Sequence, residues 1–432
     1  GMISVLADGA GVPPSQFAMG RVQSCELRRE VYRETASRMR RLGVDTLLGP
    51  VADINSNPEN PVIGTRAFPG SAGEVGRLVA EEVEEFRRAG LLTCLKHFPG
   101  HGGTGTDSHL ALPEAPGLST ENGRIAAIPF RNGIEAGADM VMTGHLEVGG
   151  SGIPSSLDRP VIDYLRSALG FEGVVITDDL RMKGVTGMAP SDLSRAVIAA
   201  KALAAGNDLL LFKDPVSELF TALREGMGGL EDLPGPRLDI IEEAFSVSSS
   251  RVRILRERAA EGAYKAQPGF SDVPYLRAAR ASCISSGNIG SELPPFRCRF
   301  LGEGAVFSLR PVHYFIAELL DGLGMDGADA FHTSRSAGDF IEGNLRQDPG
   351  MGGLSELRFG KSSGTDLIIL LYRKPPAPDK LSALCRSPGI LAAAGIPPAH
   401  ELITEEKAVI TTGGIYPAAA RAVAALLTGE QF

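Results

Sequence analysis

The sequence has few cysteines and no long apolar run. Its five cysteines in 432 residues are odd in number and form no CxxC pair, so neither a disulfide framework nor a zinc ribbon is indicated. No stretch of about 18 apolar residues occurs, and the chain does not begin with a basic segment followed by an apolar one. The sequence therefore predicts no membrane-spanning helix and no secretion signal, and a reducing, cytoplasmic location is expected.

An excess of positive charge is also lacking. The chain has 43 basic and 52 acidic residues, for a net charge of −9. An acidic surface repels the phosphate backbone of nucleic acids and anionic membranes. No nucleic-acid or membrane partner is expected, and a neutral or cationic substrate is easier to accept.

Short apolar runs alternate with helical segments over the first half of the chain. The helical segments carry apolar residues at spacings of three to four and end in glycine, which is typical of helices with glycine caps. Because the strands are almost continuously apolar, the pattern predicts a parallel sheet that is covered by helices. The predicted strands are 3–8, 46–54, 91–98, 139–145, 173–179 and 207–212.

Polar side chains recur where these strands end. In a (β/α) barrel the carboxyl ends of the strands carry the active site, so this recurrence favours a barrel over a doubly wound sheet. Six strands are counted where a (β/α)8-type TIM barrel has eight, so the barrel is expected to lack its first strand or strands. The strand-end residues are Asp8, Asp53, Asn55, Lys96, His97, His145, Asp178 and Asp179.

The sequence changes character after residue 235. We predict a barrel domain over 1–235, a helical linker over 236–280 and a second α/β domain over 281–432, because a chain of this length exceeds one usual core. The predicted strands of the second domain are 304–309, 366–373 and 407–414.

The segment KHFPGHGGTGTDSH, residues 96–109, concentrates three histidines, a lysine, an aspartate and four glycines. His97 and His101 have the spacing of two metal ligands on one helix face, but Pro99 and Gly100 between them exclude the helix. No cysteine or second carboxylate cluster completes a tetrahedral site. No metal site is predicted.

Two other interpretations of this segment remain. It contains GxGxxG, but two prolines follow where a dinucleotide site needs a helix, so no cofactor is predicted. The alternative is an acid/base loop in which Asp107 orients His109 and raises its basicity. A solvated loop with no chemical role is the simplest competing explanation, but three histidines beside a strand-end lysine disfavour it.

Several segments resemble glycoside hydrolase family 3, in its β-N-acetylglucosaminidase branch. The loop segment KHFPGHGGTGTDSHLALP is similar to the signature of that branch, and GFEGVVITDDLRMKGV (170–185) is similar to its nucleophile strand. Further similar segments, in matching order, are GPVADINSNPENPVIGTRAF (49–68), MVMTGHLEV (140–148), PSSLDRPVIDYLRSALG (154–170) and ALAAGNDLLLF (202–212).

The resemblance implies a role for individual residues. It places the nucleophile at Asp178, and the general acid/base at His109 with Asp107 as its partner. It also implies that substrate is bound by the residues Asp8, Arg66, Lys96 and His97. A retaining glycosidase needs one group to attack the anomeric carbon and one to protonate the leaving oxygen, and these residue types can do both.

The resemblance also implies a function and a second domain. The chain is expected to be an exo-acting retaining hydrolase that releases terminal β-linked N-acetylglucosamine from glycans or muropeptides. A β-glucosidase, a glycoside phosphorylase or a catalytically weak sugar-binding relative are the alternatives. The C-terminal domain is expected to be an α/β sandwich, and a homodimer is the simplest way to cover an incomplete barrel.

Overall fold

The structure, a computed structural model, describes a defined set of residues. They are 13–57, 60, 62–105, 111–186, 195–212, 238–261, 271, 273–282, 284–286, 296–302, 315–320, 323, 325, 346–348, 354–359, 365–371, 390–394, 409–412 and 417–428. They form two compact units, one of which holds the described residues between 36 and 268 except 64–66, and the other the remainder. The predicted domain limits at residues 235 and 280 stay a prediction.

Helices and strands alternate through the first half of the described residues. The helices are α1 (Gln16–Arg21), α2 (Cys25–Arg41), α3 (Ala72–Arg88), α4 (Glu121–Glu135), α5 (Arg159–Ser167), α6 (Lys183–Thr186), α7 (Arg195–Ala205), α8 (Leu238–Glu261), α9 (Val273–Ser282) and α10 (Pro417–Thr428). The strands are β1 (Thr46–Leu47), β2 (Leu92–Phe98), β3 (Glu114–Ala115), β4 (Met140–Thr143), β5 (Glu147–Val148), β6 (Val174–Thr177), β7 (Ile284–Ser286), β8 (Phe296–Gly302), β9 (Arg346–Asp348), β10 (Leu354–Phe359), β11 (Thr365–Leu371), β12 (Ile390–Ala394) and β13 (Val409–Thr412).

A parallel sheet with the strand order β1-β2-β4-β6 organises the larger unit. A single parallel bridge from Ile176 to Leu209 continues it within the predicted strand 207–212. The prediction of an α/β fold with parallel strands is confirmed. The predicted strand 3–8 lies outside the described residues.

The two faces of this sheet have different coverings. On one face Leu95 of β2 packs against α3 and α4, so closely that a Cβ placed on Gly133 would lie 2.7 Å from the Leu95 methyl groups. The other face carries an apolar cluster, against which Val252 and Leu255 of α8 pack. Helix α8 therefore covers part of the face that points inward in a barrel. The cluster consists of Cys94, Met140, Met142, Val174 and Ile176.

Two buried aspartates at the amino ends of the strands fasten α8 to the sheet. Asp208 accepts hydrogen bonds from Ser248 (2.9 Å) and Arg251 (3.1 Å) of α8. Asp139 accepts one from the Thr93 amide (2.9 Å) and pairs with Arg258 of α8 at 2.6 Å. These carboxylates lie at the end of the sheet where barrel residues usually contribute to stability rather than to catalysis.

Helix α4 does not follow from the helical pattern of the sequence. It contains Pro129, and Gly123 and Gly133 interrupt its helical pattern. A Cβ on Gly123 would lie 2.2 Å from the Gly117 carbonyl oxygen, and Gly133 packs on β2 as described above. The glycines are there because the helix approaches its neighbours too closely for a side chain.

The second sheet has, among the described residues, seven strands in the order β7-β13-β12-β11-β8-β10-β9. Its centre is parallel, whereas β7, β9 and β10 run antiparallel to their neighbours. The predicted strands 366–373 and 407–414 coincide with β11 and β13, and the predicted strand 304–309 lies outside the described residues. None of the described helices is long and apolar enough to cross a membrane.

Glu82 is a buried carboxyl group on α3. The residue is 8% exposed, and no group among the described residues forms a hydrogen bond with its Oε2 atom. Burial raises the pKa of Glu82 from 4.5 to about 8. A carboxyl group in this setting prefers the neutral form.

We predict that Glu82 makes the folded state less stable as the pH rises. The pKa of Glu82 is higher in the folded state than in the unfolded state. Its contribution to the free energy of unfolding is therefore complete below about pH 4.5, falls as the pH rises, and is lost as the pH passes 8. Glu82→Gln keeps the shape and removes the charge, so the variant should be more stable than the wild type at pH 8.5, by on the order of a few kcal/mol, and should show no such advantage at pH 4.5.

Urea denaturation at several pH values measures this difference. Glu84→Gln is the matched control, because Glu84 lies on the same helix, pairs with Arg88 and keeps 45% of its side chain exposed. Wild-type and Glu82→Gln curves that stay parallel across the pH range would contradict the prediction.

Candidate active site

Asp178 lies directly after β6 at the carboxyl edge of the sheet. Its amide donates to the Thr143 carbonyl oxygen at 2.9 Å, and its Oδ1 atom accepts from the Asp179 amide at 2.8 Å. Burial alone would raise the pKa of Asp178, but nearby groups lower it below its usual value of 3.8. These groups are His97, His145, the Asp179 amide and Lys96. The half-buried carboxylate is therefore held in its ionised form.

Asp53 is the fully buried carboxylate of this edge, and its side chain has no exposed surface. Its Oδ2 atom lies 2.8 Å from Nδ1 of His97, and its Oδ1 atom accepts from the His101 amide at 2.6 Å. The His97 amide also points at both oxygens, at 3.3 Å. Asp53 thus ties the segment after β1 to the end of β2 and to the loop that follows.

His145 is buried after β4, and both of its ring nitrogens have partners. Nε2 lies 2.9 Å from the Asp179 carbonyl oxygen, and Nδ1 lies 2.8 Å from the Ser156 hydroxyl. A carbonyl oxygen only accepts hydrogen bonds, so Nε2 carries a proton. His145 therefore supports the peptide next to Asp178.

Asn60 also holds the loop in place. Its buried amide nitrogen donates to the His101 carbonyl oxygen at 2.8 Å and to the Thr104 hydroxyl at 3.4 Å. Its amide oxygen accepts from the backbone of Val62 (2.9 Å) and Ile63 (2.8 Å). With the Gly102 carbonyl oxygen at 3.3 Å, one buried side chain therefore contacts five polar groups in two segments, and it sets their spacing.

His97 and His101, which are four residues apart, both use Nδ1 for contacts within the protein. His97 Nδ1 pairs with Asp53, and His101 Nδ1 lies 2.7 Å from the Thr104 hydroxyl. The ring centroids are 6.1 Å apart in an edge arrangement. In the part of the chain that the structure describes, no group of three or more His, Cys, Asp or Glu residues is arranged to hold a metal ion.

Three of the seven residues assigned to the site from the sequence are brought together. Asp178, Lys96 and His97 lie at the same edge of the sheet and interact electrostatically. Arg66 ends a 3-10 helix, Gly64–Arg66, in the other compact unit. The assigned residues outside the described part of the chain are Asp8, Asp107 and His109, and the roles of all seven stay predictions.

Asp53, His145 and Asn60 were given no role from the sequence. Asp53 and His145 were noted as strand-end residues, which is the signal that could have identified them. Asn60 lies in the sequence NSNPENP and has no such signal. Its role depends on contacts with residues about forty positions further along the chain.

The arrangement is one carboxylate at the end of a parallel sheet, with two histidines, a lysine and a backbone amide acting on it. The family model of the glycosyl hydrolase family 3 N terminal domain matches residues 1–243, which is more than half of the chain. The chain belongs to this family. The resemblance stated from the sequence motifs is thereby confirmed.

Curated proteins with named activities are similar to this chain over part of their length. β-Hexosaminidase A of Pseudoalteromonas piscicida is 36% identical over 162 residues, which are 34% of this chain and 27% of that protein. The β-N-acetylglucosaminidase/β-glucosidase of Cellulomonas fimi is 33% identical over 202 residues, or 44% of this chain and 35% of that protein. The matched part of this chain thus spans about a third of the length of these curated relatives.

A solved member of the family matches almost the whole fold. The family 3 β-N-acetylglucosaminidase from Paenibacillus sp. str. FPU-7 superposes with a TM-score of 0.70 and 25% sequence identity. The match covers 99% of this chain and 82% of that chain.

We predict that Gly102 cannot be replaced without moving the loop. A Cβ at this position would lie 1.9 Å from the Ile54 carbonyl oxygen. Gly102→Ala should therefore lower the free energy of unfolding by about 1–3 kcal/mol, as overpacking usually does. Gly73→Ala is the control, because no atom lies within 4 Å of a Cβ placed there in α3.

Guanidinium denaturation of the two variants and the wild type measures the difference. The stability of Gly73→Ala should be unchanged or slightly raised, since alanine favours a helix. Equal midpoints for Gly102→Ala and Gly73→Ala would show that the loop has room for a side chain.

Proposed function

We propose that the protein is an exo-acting, retaining glycoside hydrolase that releases terminal β-linked N-acetylglucosamine from glycans or muropeptides. The observation that carries the proposal is the Asp178 carboxylate, which the positive groups around it hold ionised at a barrel strand end. An ionised, rigidly held carboxylate is the nucleophile that a retaining glycosidase needs.

The proposed reaction has two displacements. In the first, the Asp178 carboxylate forms a bond to the anomeric carbon as the glycosidic bond breaks, and a general acid protonates the leaving oxygen. In the second displacement, the group that acted as the general acid takes a proton from water. The water oxygen attacks the anomeric carbon, and the bond between that carbon and Asp178 breaks. We assign this acid/base role to His109, with Asp107 as its orienting partner, on the sequence resemblance.

The same strand ends carry side chains that can form hydrogen bonds with a sugar. The Lys96 ammonium and the His97 imidazole lie beside the nucleophile and can donate hydrogen bonds to hydroxyl oxygens. We assign Arg66 and Asp8 to the same substrate on the sequence resemblance. The names of the Pseudoalteromonas and Paenibacillus relatives, a β-hexosaminidase and a β-N-acetylglucosaminidase, support an N-acetylated sugar.

A β-glucosidase activity is the second candidate, because the Cellulomonas relative is named for both activities. Hydrolysis of a chromogenic N-acetyl-β-glucosaminide and of the matching β-glucoside, each with and without inorganic phosphate, separates the candidates. Turnover of the first alone supports the proposal. Turnover only with phosphate indicates a phosphorylase, and turnover of neither indicates a sugar-binding protein.

We also propose that the C-terminal region is an α/β sandwich domain. The mixed sheet of seven described strands, with α9 and α10 in the same unit, supports this proposal. Association of two copies and a cytoplasmic location follow from the sequence alone and stay predictions.

We predict that Asp178→Asn lowers turnover by on the order of 10⁴-fold, because the amide cannot attack the anomeric carbon. Asp179→Asn should act mainly on stability, since the Asp179 side chain accepts from the Arg181 amide at 3.1 Å within a local turn. A fluorinated sugar that forms a slowly hydrolysed ester should label Asp178, as peptide mass spectrometry can show. A label on another carboxylate would overturn the assignment.

We predict that the effect of His109→Ala depends on the leaving group. General acid help is typically worth about 10² to 10⁴ in rate, and an activated aryl leaving group needs little of it. The variant should therefore lose much less kcat/KM on a nitrophenyl glycoside than on an alkyl glycoside. Equal losses on both substrates would remove His109 from the acid role.

A further inference from the structure

We propose that His145 and Asn207 are positioning residues that hold the Asp178 carboxylate through a closed cycle of hydrogen bonds. This inference rests on the proposed function, in which Asp178 is the nucleophile. Neither side chain is among the proposed sugar contacts, and both act on the reaction through the backbone beside Asp178. The cycle runs through Asn207, Ser156, His145, Asp179, Asp178 and Thr143 and returns to Asn207.

The first step is the short segment that carries the nucleophile. The Asp178 amide donates to the Thr143 carbonyl oxygen at 2.9 Å, and the Asp179 carbonyl oxygen accepts from Nε2 of His145 at 2.9 Å. The segment is thus held at its first amide and at its last carbonyl, so the peptide between them has little freedom to rotate. The N–H of that peptide donates to Oδ1 of Asp178 at 2.8 Å. The orientation of the carboxylate therefore depends on both outer contacts.

The second step is what His145 adds to the turn after the nucleophile. The Met182 amide also donates to the Asp179 carbonyl oxygen, at 3.0 Å, and a carbonyl oxygen has two lone pairs with which to accept both bonds. The bond from Met182 is local and moves with the turn. His145 lies after β4, so its bond fastens the turn to the neighbouring strand of the sheet.

The third step is the support of His145 itself. The Ser156 hydroxyl lies 2.8 Å from Nδ1 of the imidazole. The Ser155 hydroxyl donates to the Gly144 carbonyl oxygen at 2.8 Å and accepts from the Leu146 amide at 3.2 Å. These two serines have no exposed surface and begin a short 3-10 helix. They hold the imidazole and the backbone on both sides of it.

The fourth step is Asn207, which closes the cycle. Its fully buried amide nitrogen donates to the carbonyl oxygens of Ser156 at 2.8 Å and Ala202 at 2.7 Å. Its amide oxygen accepts from the Thr143 hydroxyl at 2.9 Å. Because two carbonyl oxygens must face a donor, the partners allow only this orientation of the amide. Asn207 thus connects the helix that holds the imidazole with the residue whose carbonyl holds Asp178.

The contact between His145 and Asp179 does not require a charged imidazole. Nε2 carries the proton that faces the carbonyl oxygen, and the hydroxyl at Nδ1 can donate to a neutral ring or accept from a charged one. The role is therefore geometric, and a neutral N–H group at the same place should fulfil it. Glutamine places its amide nitrogen near the position of Nε2, whereas asparagine is too short to do so.

His145→Gln and His145→Asn form the decisive pair of variants. On a chromogenic N-acetyl-β-glucosaminide at neutral pH, His145→Asn should lower kcat by about 10²-fold, the usual effect of a small misplacement of a reacting group. His145→Gln should stay within about tenfold of the wild type. KM should change little in either variant, because His145 is not among the proposed sugar contacts. Equal losses of kcat would overturn the proposal, since ring charge or packing would then explain them.

Ser156→Ala and Ser248→Ala provide a matched comparison that leaves the imidazole in place. Each replacement removes one buried hydroxyl, from His145 in the first case and from Asp208 at the amino ends of the strands in the second. Ser156→Ala should lower kcat about tenfold, and Ser248→Ala should leave it unchanged. Urea denaturation shows whether the two variants are destabilised alike. The same kcat in both variants would contradict the cycle.

Asn207→Ala tests the closing residue. Its loss of kcat should resemble that of Ser156→Ala, and in the double variant the two losses should not add, because both residues act through the same contacts. An unmoved kcat in folded Asn207→Ala, or additive losses, would remove Asn207 from the cycle.

A measurement without substrate separates this inference from the proposed function. Hydrogen exchange of the Asp179 amide, followed by NMR, should be slow in the wild type, His145→Gln and Ser248→Ala. It should be faster by on the order of tenfold in His145→Asn and Ser156→Ala, because local opening becomes easier. If no glycoside is turned over, the proposed function fails, while the exchange rates still decide whether His145 holds this peptide. Exchange at the wild-type rate in folded His145→Asn would overturn the inference in either case.

Discussion

The buried carboxylate of Asp53 is the constraint on which the geometry of the candidate active site depends. An anion without solvent contact must have its oxygens occupied, and Asp53 meets this requirement with the backbone and ring of His97 and the amide of His101. The segment after β1, the end of β2 and the start of the glycine-rich loop are therefore held at fixed separations. Asn60 and the contact of Gly102 with Ile54 continue this arrangement along the loop.

The residues at the amino ends of the parallel strands stabilise the fold, whereas the candidate site lies at the carboxyl ends. At the amino ends, Asp139 and Asp208 neutralise arginines of α8, whose apolar side chains cover the inner cluster of the sheet. At the carboxyl ends, Lys96, His97 and His145 act on Asp178, and the balance of charge favours the reactive ionised form. This division is the one that barrel folds show in general, with binding and catalysis at the carboxyl ends.

The parts of the structure that the sequence predicts are those governed by local pattern. Apolar strands alternating with glycine-capped helices are enough to place β2, β4 and β6, and hence to bring Lys96, His97 and Asp178 to one edge. Helix α4 is not predicted, because Pro129 and the glycines lower its helix propensity. The glycines are needed where the helix packs closely against its neighbours. Strand β12, with the sequence ILAAA, has little strand propensity and depends on its two neighbours for pairing.

The site residues, too, are predicted only where a local sequence pattern marks them. The roles of Asp53 and Asn60 come from hydrogen bonds that span more than forty residues of sequence, and no local pattern carries that information. Burial also separates the two carboxylates of this edge. Asp53 is fully enclosed, whereas Asp178 retains some exposure.

The central claim is that the protein holds Asp178 as an anion against the cost of burial. Carbon NMR of the aspartate side-chain carboxyls, with Asp178 assigned by its loss in Asp178→Asn, measures this directly in the folded protein without any substrate. We expect the Asp178 signal to remain that of the ionised form down to a pH below 3.8, the usual value for the residue. A titration midpoint above 3.8, in protein whose amide spectrum is still that of the folded state, would contradict the account.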